Sequence, residues 1–320
     1  MSYYNTQFKY RGKTNTDYDL IIVALDNGDK GEVESFLGME DTHSSNYDGT
    51  MWYDYGAKYD STVTLTITMI KKNYSDFSIY DFRNVARWLT GSKMASWLDV
   101  QEQFHSEINY SFLCKCIDLQ QYKLDGRVIG VVAKFKATSP WAFSPLQCLQ
   151  IVNGKQTVIT GTEINPFKFI INNHSDDIYS FLYPNIFITN ENTSHEGISL
   201  TNISMPSTEI VGDNKLILSN LNPNESILIH DNQMIQTNIE HNTIGSRFNW
   251  IWPKMVAGNN TFEFIGTGKI IFAYRYPIKV GEGMIGYDYT DHISAGTNCK
   301  TITVEELQSA LRSVDNSITI

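Results

Sequence analysis

From Thr62 to Met69 the sequence reads Thr-Val-Thr-Leu-Thr-Ile-Thr-Met, threonine and apolar side chains in strict alternation. Only a β-strand has a side-chain period of two, so the run predicts a strand with Val63, Leu65, Ile67 and Met69 turned to a core. The threonine face is left for solvent or for another subunit. Aromatic and β-branched residues suit such a half-buried pleated surface. The rest of the chain has the same bias, with 18 Tyr and 16 Phe but only 8 Pro in 320 residues. A chain of that length suits two domains, each with its own core.

In the first half, strands are also expected at Asp19–Leu25, Tyr110–Ile117 and Val128–Ala137. Between them Ser78-Ile79-Tyr80-Asp81 matches a capping box, in which the Ser oxygen and the carboxylate each satisfy an orphan backbone N–H. Phe82, Val85, Ala86 and Leu89 follow at helical spacing, and Gly91 is placed for a left-handed stop. One helix of about three turns packed on a sheet is the expectation. Pro140 and Pro145 then bracket Trp141-Ala142-Phe143-Ser144, a natural domain junction.

The second half is rich in Asn, Ser and Thr and is broken into short apolar runs: Phe167–Ile171, Ile186–Thr189, Lys215–Leu218 and Ser226–His230. Turn signals separate them, at Asn172-Asn173, Gly212-Asp213-Asn214, Asn222-Pro223-Asn224 and Gly258-Asn259-Asn260. Many short strands at near-regular spacing read as an antiparallel sandwich. The strongest signal is Thr261–Phe264, the pair Gly266 and Gly268, then Lys269–Tyr276, where Ile270, Phe272, Tyr274 and Tyr276 share a face. A second capping box, Thr303–Glu306, opens a short C-terminal helix with Val304, Leu307, Leu311 and Val314 on one side. That helix either docks on its own domain or pairs with a neighbouring subunit.

Charge narrows the function. Before residue 146 there are 15 Lys and Arg against 18 Asp and Glu, and after it 10 against 17. Neither half is basic, so direct nucleic-acid binding is not expected. The polar start, Met1–Gln7, predicts no secretory signal, and the Leu20–Leu25 run is too short for a membrane segment. Cys114, Cys116, Cys148 and Cys299 lack zinc-site spacing and read as buried, reduced thiols.

The search for chemistry returns little. Gly281-Glu282-Gly283-Met284-Ile285-Gly286 has the spacing of a dinucleotide loop, but Tyr287–Asp291 does not open the helix that would hold a pyrophosphate. Asp176-Asp177 beside His174, and Asp288 with Asp291, are acid pairs in polar loops, read as solvated carboxylates ahead of catalytic or calcium-binding groups. Trp250 and Trp252, two apart in Phe248–Pro253, are the candidates for stacking on a sugar along one strand face. Core packing is the competing reading. No catalytic residue, metal site or cofactor is expected.

Several stretches, in order, resemble the distal tail (Dit) family of long-tailed phages. They are Phe8–Ile22 with Tyr10-Arg11-Gly12, Tyr55–Tyr59, Trp88-Leu89-Thr90-Gly91 followed by Trp97, and Pro140-Trp141. Later come Trp252-Pro253, Ala257–Asn260 and Tyr274-Arg275-Tyr276-Pro277 through Gly281. The resemblance implies a mainly β protein. Residues 1–145 would form a β-barrel-like, split-barrel domain with one helix, and 146–283 a galectin-like or carbohydrate-module-like β-sandwich. Residues 284–320, read as an extension with a short helix, depart from the family's common pattern. It implies a homo-oligomer, a hexameric ring or stacked rings, joining the tail tube protein to the tail-associated or baseplate protein. The ring would sit at the phage tail tip in the virion, after synthesis in the host bacterial cytoplasm. Cell-wall carbohydrate is the further partner it suggests, and no enzymatic activity is expected.

Overall fold

The computed structural model describes residues 7–26, 39–45, 52–59, 63–101, 109–205, 214–239, 244–278 and 296–312. They form two compact units, the first ending at Pro145 and regaining Pro277 and Ile278, the second running from Leu146 to Tyr276 and regaining residues 296–312. Both are built almost wholly of antiparallel strands.

The first unit contains β1 (Gln7–Tyr10), β2 (Lys13–Thr14), β3 (Leu20–Asp26), β4 (Met39–Ser45), β5 (Trp52–Tyr59) and β6 (Thr64–Lys71). They are followed by α1 (Ile79–Thr90), β7 (Ser96–Gln101), β8 (Asn109–Leu124), β9 (Arg127–Ala137) and β10 (Ala142–Phe143). The main sheet runs β2-β1-β7-β8-β9-β6-β3, and β4 and β5 form a separate hairpin. Laid flat, seven strands at roughly 4.8 Å spacing would put β2 and β3 about 29 Å apart. Yet only Asn15–Asp19 separate Thr14 from Leu20, a reach of at most roughly 21 Å. The sheet therefore curls. Asn15 bridges the gap from its buried position: its Oδ1 accepts from Phe8 N–H (3.0 Å) and its Nδ2 donates to the Leu20 carbonyl (2.9 Å). Asn15 here takes the place of a strand ladder.

The alternation of β6 holds in space. Val63, Leu65, Ile67 and Met69 are buried, and Thr64, Thr66 and Thr68 are half-buried on the other face. Ser78 caps α1, accepting from Asp81 N–H (3.2 Å) while Asp81 Oδ2 accepts from Ser78 N–H (2.9 Å) and sits 2.7 Å from Lys71 Nζ. Two expectations for this helix are corrected. Its buried face is Val85, Trp88 and Leu89, with Phe82 and Ala86 only half-buried. Gly91 stays at φ −68°, so its need is for space: a Cβ there would strike the Arg87 carbonyl oxygen. β8 also runs seven residues past the expected Ile117, to a tight turn at Asp125-Gly126 whose φ angles are +50° and +79°. Such a pair is the strongest short-range hairpin signal.

The second unit holds β11 (Gln147–Ile151), β12 (Ile159–Gly161), β13 (Phe167–Asn173), β14 (Asn185–Asn190), β15 (Ile198–Asn202) and β16 (Lys215–Leu218). Next come β17 (Ser226–Ile229), β18 (Ile235–Thr237) and β19 (Gly258–Tyr274). β20 (Pro277–Ile278) lies in the first unit, where it pairs with β10. β21 (Gly296–Thr297), β22 (Cys299–Thr301) and α2 (Val304–Leu311) close the described chain. The two runs expected on either side of the glycines are one 17-residue strand. Its first half lies between β13 and β15, and its second half between β11 and β14. β19 thus belongs to both layers of the sandwich, and a strand that changes layers must bend. The bend falls at Gly266, φ +118°, a conformation that side chains resist. Phe262 before the bend and Phe272 after it meet each other (5.2 Å between ring centroids) and Phe169 (5.3 and 5.8 Å), closing the core.

Candidate functional site

The landmarks of the first half converge on Trp88. Its ring is stacked between Phe8 (5.3 Å) and Tyr18 (4.7 Å), and its indole N–H donates to the Tyr10 carbonyl (2.7 Å). Arg11 returns the contact, Nη1 donating to the Trp88 carbonyl at 3.2 Å. Arg11 and Gly12 both have positive φ, 53° and 77°, which makes the β1–β2 connection a two-residue turn of the hairpin type. Leu89 is buried, and Gly91 packs close to the Arg11 guanidinium. These residues join the start of the chain to α1. Half-buried Trp97 meets Phe143 edge-on at 5.3 Å, beside half-buried Pro140 and buried Trp141.

In the second unit Tyr274 is buried and its hydroxyl donates to the Asn172 carbonyl (2.9 Å). Arg275 is half-buried, and Pro277, back in the first unit, pairs with Phe143 of that unit. The expectation for Trp250 and Trp252 is corrected, because they do not lie along one strand face. Phe248 makes an isolated bridge to Leu218, after which Trp250 takes φ +61° and the chain leaves the extended conformation. Trp250 is 63% exposed, whereas Trp252 is half-buried with its ring 4.9 Å from that of buried Phe248. Pro253 is buried.

Asp177 Oδ1 accepts from the N–H groups of Tyr179 and Ser180, which shapes its own loop. Asp288, Asp291 and the Gly281–Gly286 motif lie outside the described residues. Among the described residues no three His, Cys, Asp or Glu side chains are grouped to hold a metal. The cysteines are free thiols, and two of them, Cys116 and Cys299, are half-buried rather than buried as expected. Burial pushes Cys116, Cys148 and Cys299 up to about 11 and Cys114 further, so all four remain protonated near neutral pH.

Sequence reading missed one charged cluster. Glu225 is fully buried, and Arg247 grips it with both arms, at 2.8 and 2.7 Å. Burial alone would raise the Glu225 pKa, but the bonds from Arg247, Asn222 N–H (2.9 Å) and the Thr237 hydroxyl (2.7 Å) outweigh it and hold it below the usual range. The partners are 22 residues apart, and no local pattern marks them. A lone Arg in an Asn-rich, cation-poor stretch was the only signal available.

Asparagines form a second missed cluster. The expected turn signals Asn172-Asn173 and Gly258-Asn259-Asn260 are cross-strand neighbours, with Asn172 opposite Asn259. Buried Asn173, Asn202 and Asn260 send their amides to the carbonyls of Val256, Lys254 and Val256 (2.8–2.9 Å), clamping the loop that leads into β19.

Comparison with known proteins supplies the family. Residues 3–139 match the family model of a phage tail protein N-terminal domain, and residues 154–274 that of a phage tail C-terminal domain. The chain belongs to this phage tail protein family, and its fold is that of the distal-tail (Dit-like) proteins. The crystal structure of the Dit (gp 19.1) protein of phage SPP1, described as a hub of the adsorption apparatus in phages infecting Gram-positive bacteria, is similar over 85% of this chain and 99% of that one, with a TM-score of 0.55 at 12% identity. A chain of the phage P2 baseplate in its activated conformation with Ca is similar over 85% and 98%, with a TM-score of 0.52 at 9% identity. The corresponding baseplate with Sr gives 86% and 98%, 0.51 and 12%. No curated protein matches the chain.

Proposed function

We propose that this protein is a structural subunit of the phage tail tip, a hub that acts through protein surfaces and turns over no substrate. The supporting observation is the similarity in fold, over 85% of this chain and 99% of the other, to a protein described as a hub of the adsorption apparatus. In this reading six copies form a ring, or two such rings stack, between the tail tube protein and the tail-associated or baseplate protein. The ring resides in the virion after synthesis in the host cytoplasm. A net charge of −10 per chain suits a channel wall that does not hold on to DNA. The test is solution mass by light scattering across a concentration series. A mass near six or twelve subunits supports the ring, and a monomer throughout refutes self-assembly without a tail partner.

A second activity is carbohydrate contact by the sandwich, favoured by one observation, the 63% exposure of Trp250. An exposed indole offers a flat apolar face to the C–H side of a sugar ring. Retained binding of host cell-wall material by Trp250→Ala would remove this reading.

A further inference from the structure

The helix of the first unit buries one side and presents another of unusual composition. At 3.6 residues per turn, Ile79, Tyr80, Arg83, Asn84 and Arg87 fall within about 140° of the circumference of α1. All five are exposed, Ile79 at 78% and Tyr80 at 74%, while Val85, Trp88 and Leu89 on the opposite side are buried. The Ser78 cap and that buried side already specify the helix. Neither an exposed Ile and Tyr in its first turn nor two Arg one turn apart is needed to form it, and like charges at that spacing weaken a helix slightly.

The nearby acids are committed elsewhere. Asp81, the one acid of the helix, is held by Ser78 N–H (2.9 Å) and by Lys71 (2.7 Å), and Asp76 is held by Arg127 (2.7 Å). Among the described residues no carboxylate forms an ion pair with Arg83 or Arg87. The choice of cation is informative too. The chain has 18 Lys against 7 Arg, yet both cations on this face are Arg. Arg and Tyr are enriched where proteins meet, and Lys is depleted there.

A guanidinium grips a carboxylate through two parallel bonds. We propose that the Ile79–Arg87 face of α1 docks an acidic protein surface of a different virion chain. That surface would carry two carboxylates about 6 Å apart, the spacing of side chains one helical turn apart, beside an apolar recess for Ile79 and Tyr80. This rests on the hub reading and assigns one of its partner surfaces. Nucleic acid suits the face less well, because two cations release too few counterions to hold a phosphate backbone.

The test uses the full chain with the tail tube protein and the tail-associated protein, each purified, and follows binding by titration calorimetry at low and high salt. One of the two is expected to bind the parent, more weakly as salt rises. Arg83→Ala with Arg87→Ala should weaken that binding at least about tenfold. The same variant should melt no lower than the parent, since Ala favours a helix and the like-charge repulsion is gone, and its mass by light scattering should equal the parent's. A merely structural role for the Arg pair would lower stability and binding together. Unchanged binding by the variant overturns the docking face and leaves the hub intact. Binding of neither protein to the parent removes the hub reading and the face with it. A changed oligomer mass would make the face a contact between copies, and duplex DNA held by the parent but not the variant would make it a phosphate site; either outcome overturns the proposal. Should the Ala pair not fold, Tyr80→Ser reads the same loss of binding alone.

Discussion

Trp88 and Tyr10, 78 residues apart in the chain, are joined by a 2.7 Å hydrogen bond from the indole N–H to the Tyr10 carbonyl. The bond fastens α1 to β1, while the stacked rings of Phe8 and Tyr18 fix the plane of the indole. Trp88→Phe keeps much of the stacking and strands the buried carbonyl, and should cost about 1–3 kcal/mol in urea unfolding. Trp88→Ala should cost about 3–5 kcal/mol. Equal stability of Trp88→Phe and the parent would show that the bond contributes nothing.

Arg247→Ala should be more damaging than its partly exposed position suggests. It leaves the Glu225 carboxylate buried without its counter-charge, at a cost of about 3–5 kcal/mol. Replacing both partners, Glu225→Leu with Arg247→Met, should cost clearly less than Arg247→Ala alone. A double-mutant cycle by denaturation measures the difference.

The same carboxylate makes stability depend on pH. Its folded pKa lies below its unfolded value, near 4.3 for a free Glu. Its contribution is therefore fully present above that value and is lost as pH falls through the lower folded pKa. Thermal melting of the parent should drop as pH goes below about 4, and Glu225→Gln should flatten that part of the profile. An unchanged slope would show that Glu225 is not the group responsible.

The C-terminal helix should be part of the sandwich. Leu307 and Leu311 pack with Cys148, Phe187, Leu228, Ile271, Ala273 and Ile302 on the back of the sheet. Leu307→Ala should cost about 2–5 kcal/mol, and Thr303→Ala, which loses the cap, about 1 kcal/mol. Circular dichroism melts distinguish this from a frayed helix, for which both changes would be silent.

Asn260→Ala should loosen the Lys254–Gly258 loop. The side chain accepts from Val256 N–H (2.9 Å) and donates to the Val256 and Gly258 carbonyls (2.8 and 3.0 Å). A loss of about 1–3 kcal/mol is expected, with faster amide exchange at Val256 as the local readout.

The chain's own sequence determined the strands and helices whose pattern is local. β6 was legible because its alternation is complete, and α1 and α2 because a capping box and periodic apolar residues coincide. Where an element is defined by a partner, the pattern was mute. Residues 118–124 of β8 are mostly polar, with only Leu119, Tyr122 and Leu124 otherwise, because little covers them, so apolar alternation stops while the hairpin continues to Asp125-Gly126. Ile271 and Ala273, on the opposite face of β19 from Phe272, are buried only because α2 returns to cover them. The asparagines signalled turns by composition, yet two of them, Asn173 and Asn260, are buried and bond to the Val256 carbonyl, since an amide can satisfy a neighbouring loop as readily as its own backbone. Period and capping are properties of neighbours in sequence. The curl of the first sheet, the bend of β19 and the Glu225–Arg247 pair arise from contacts between distant segments, and only the folded chain brings those together.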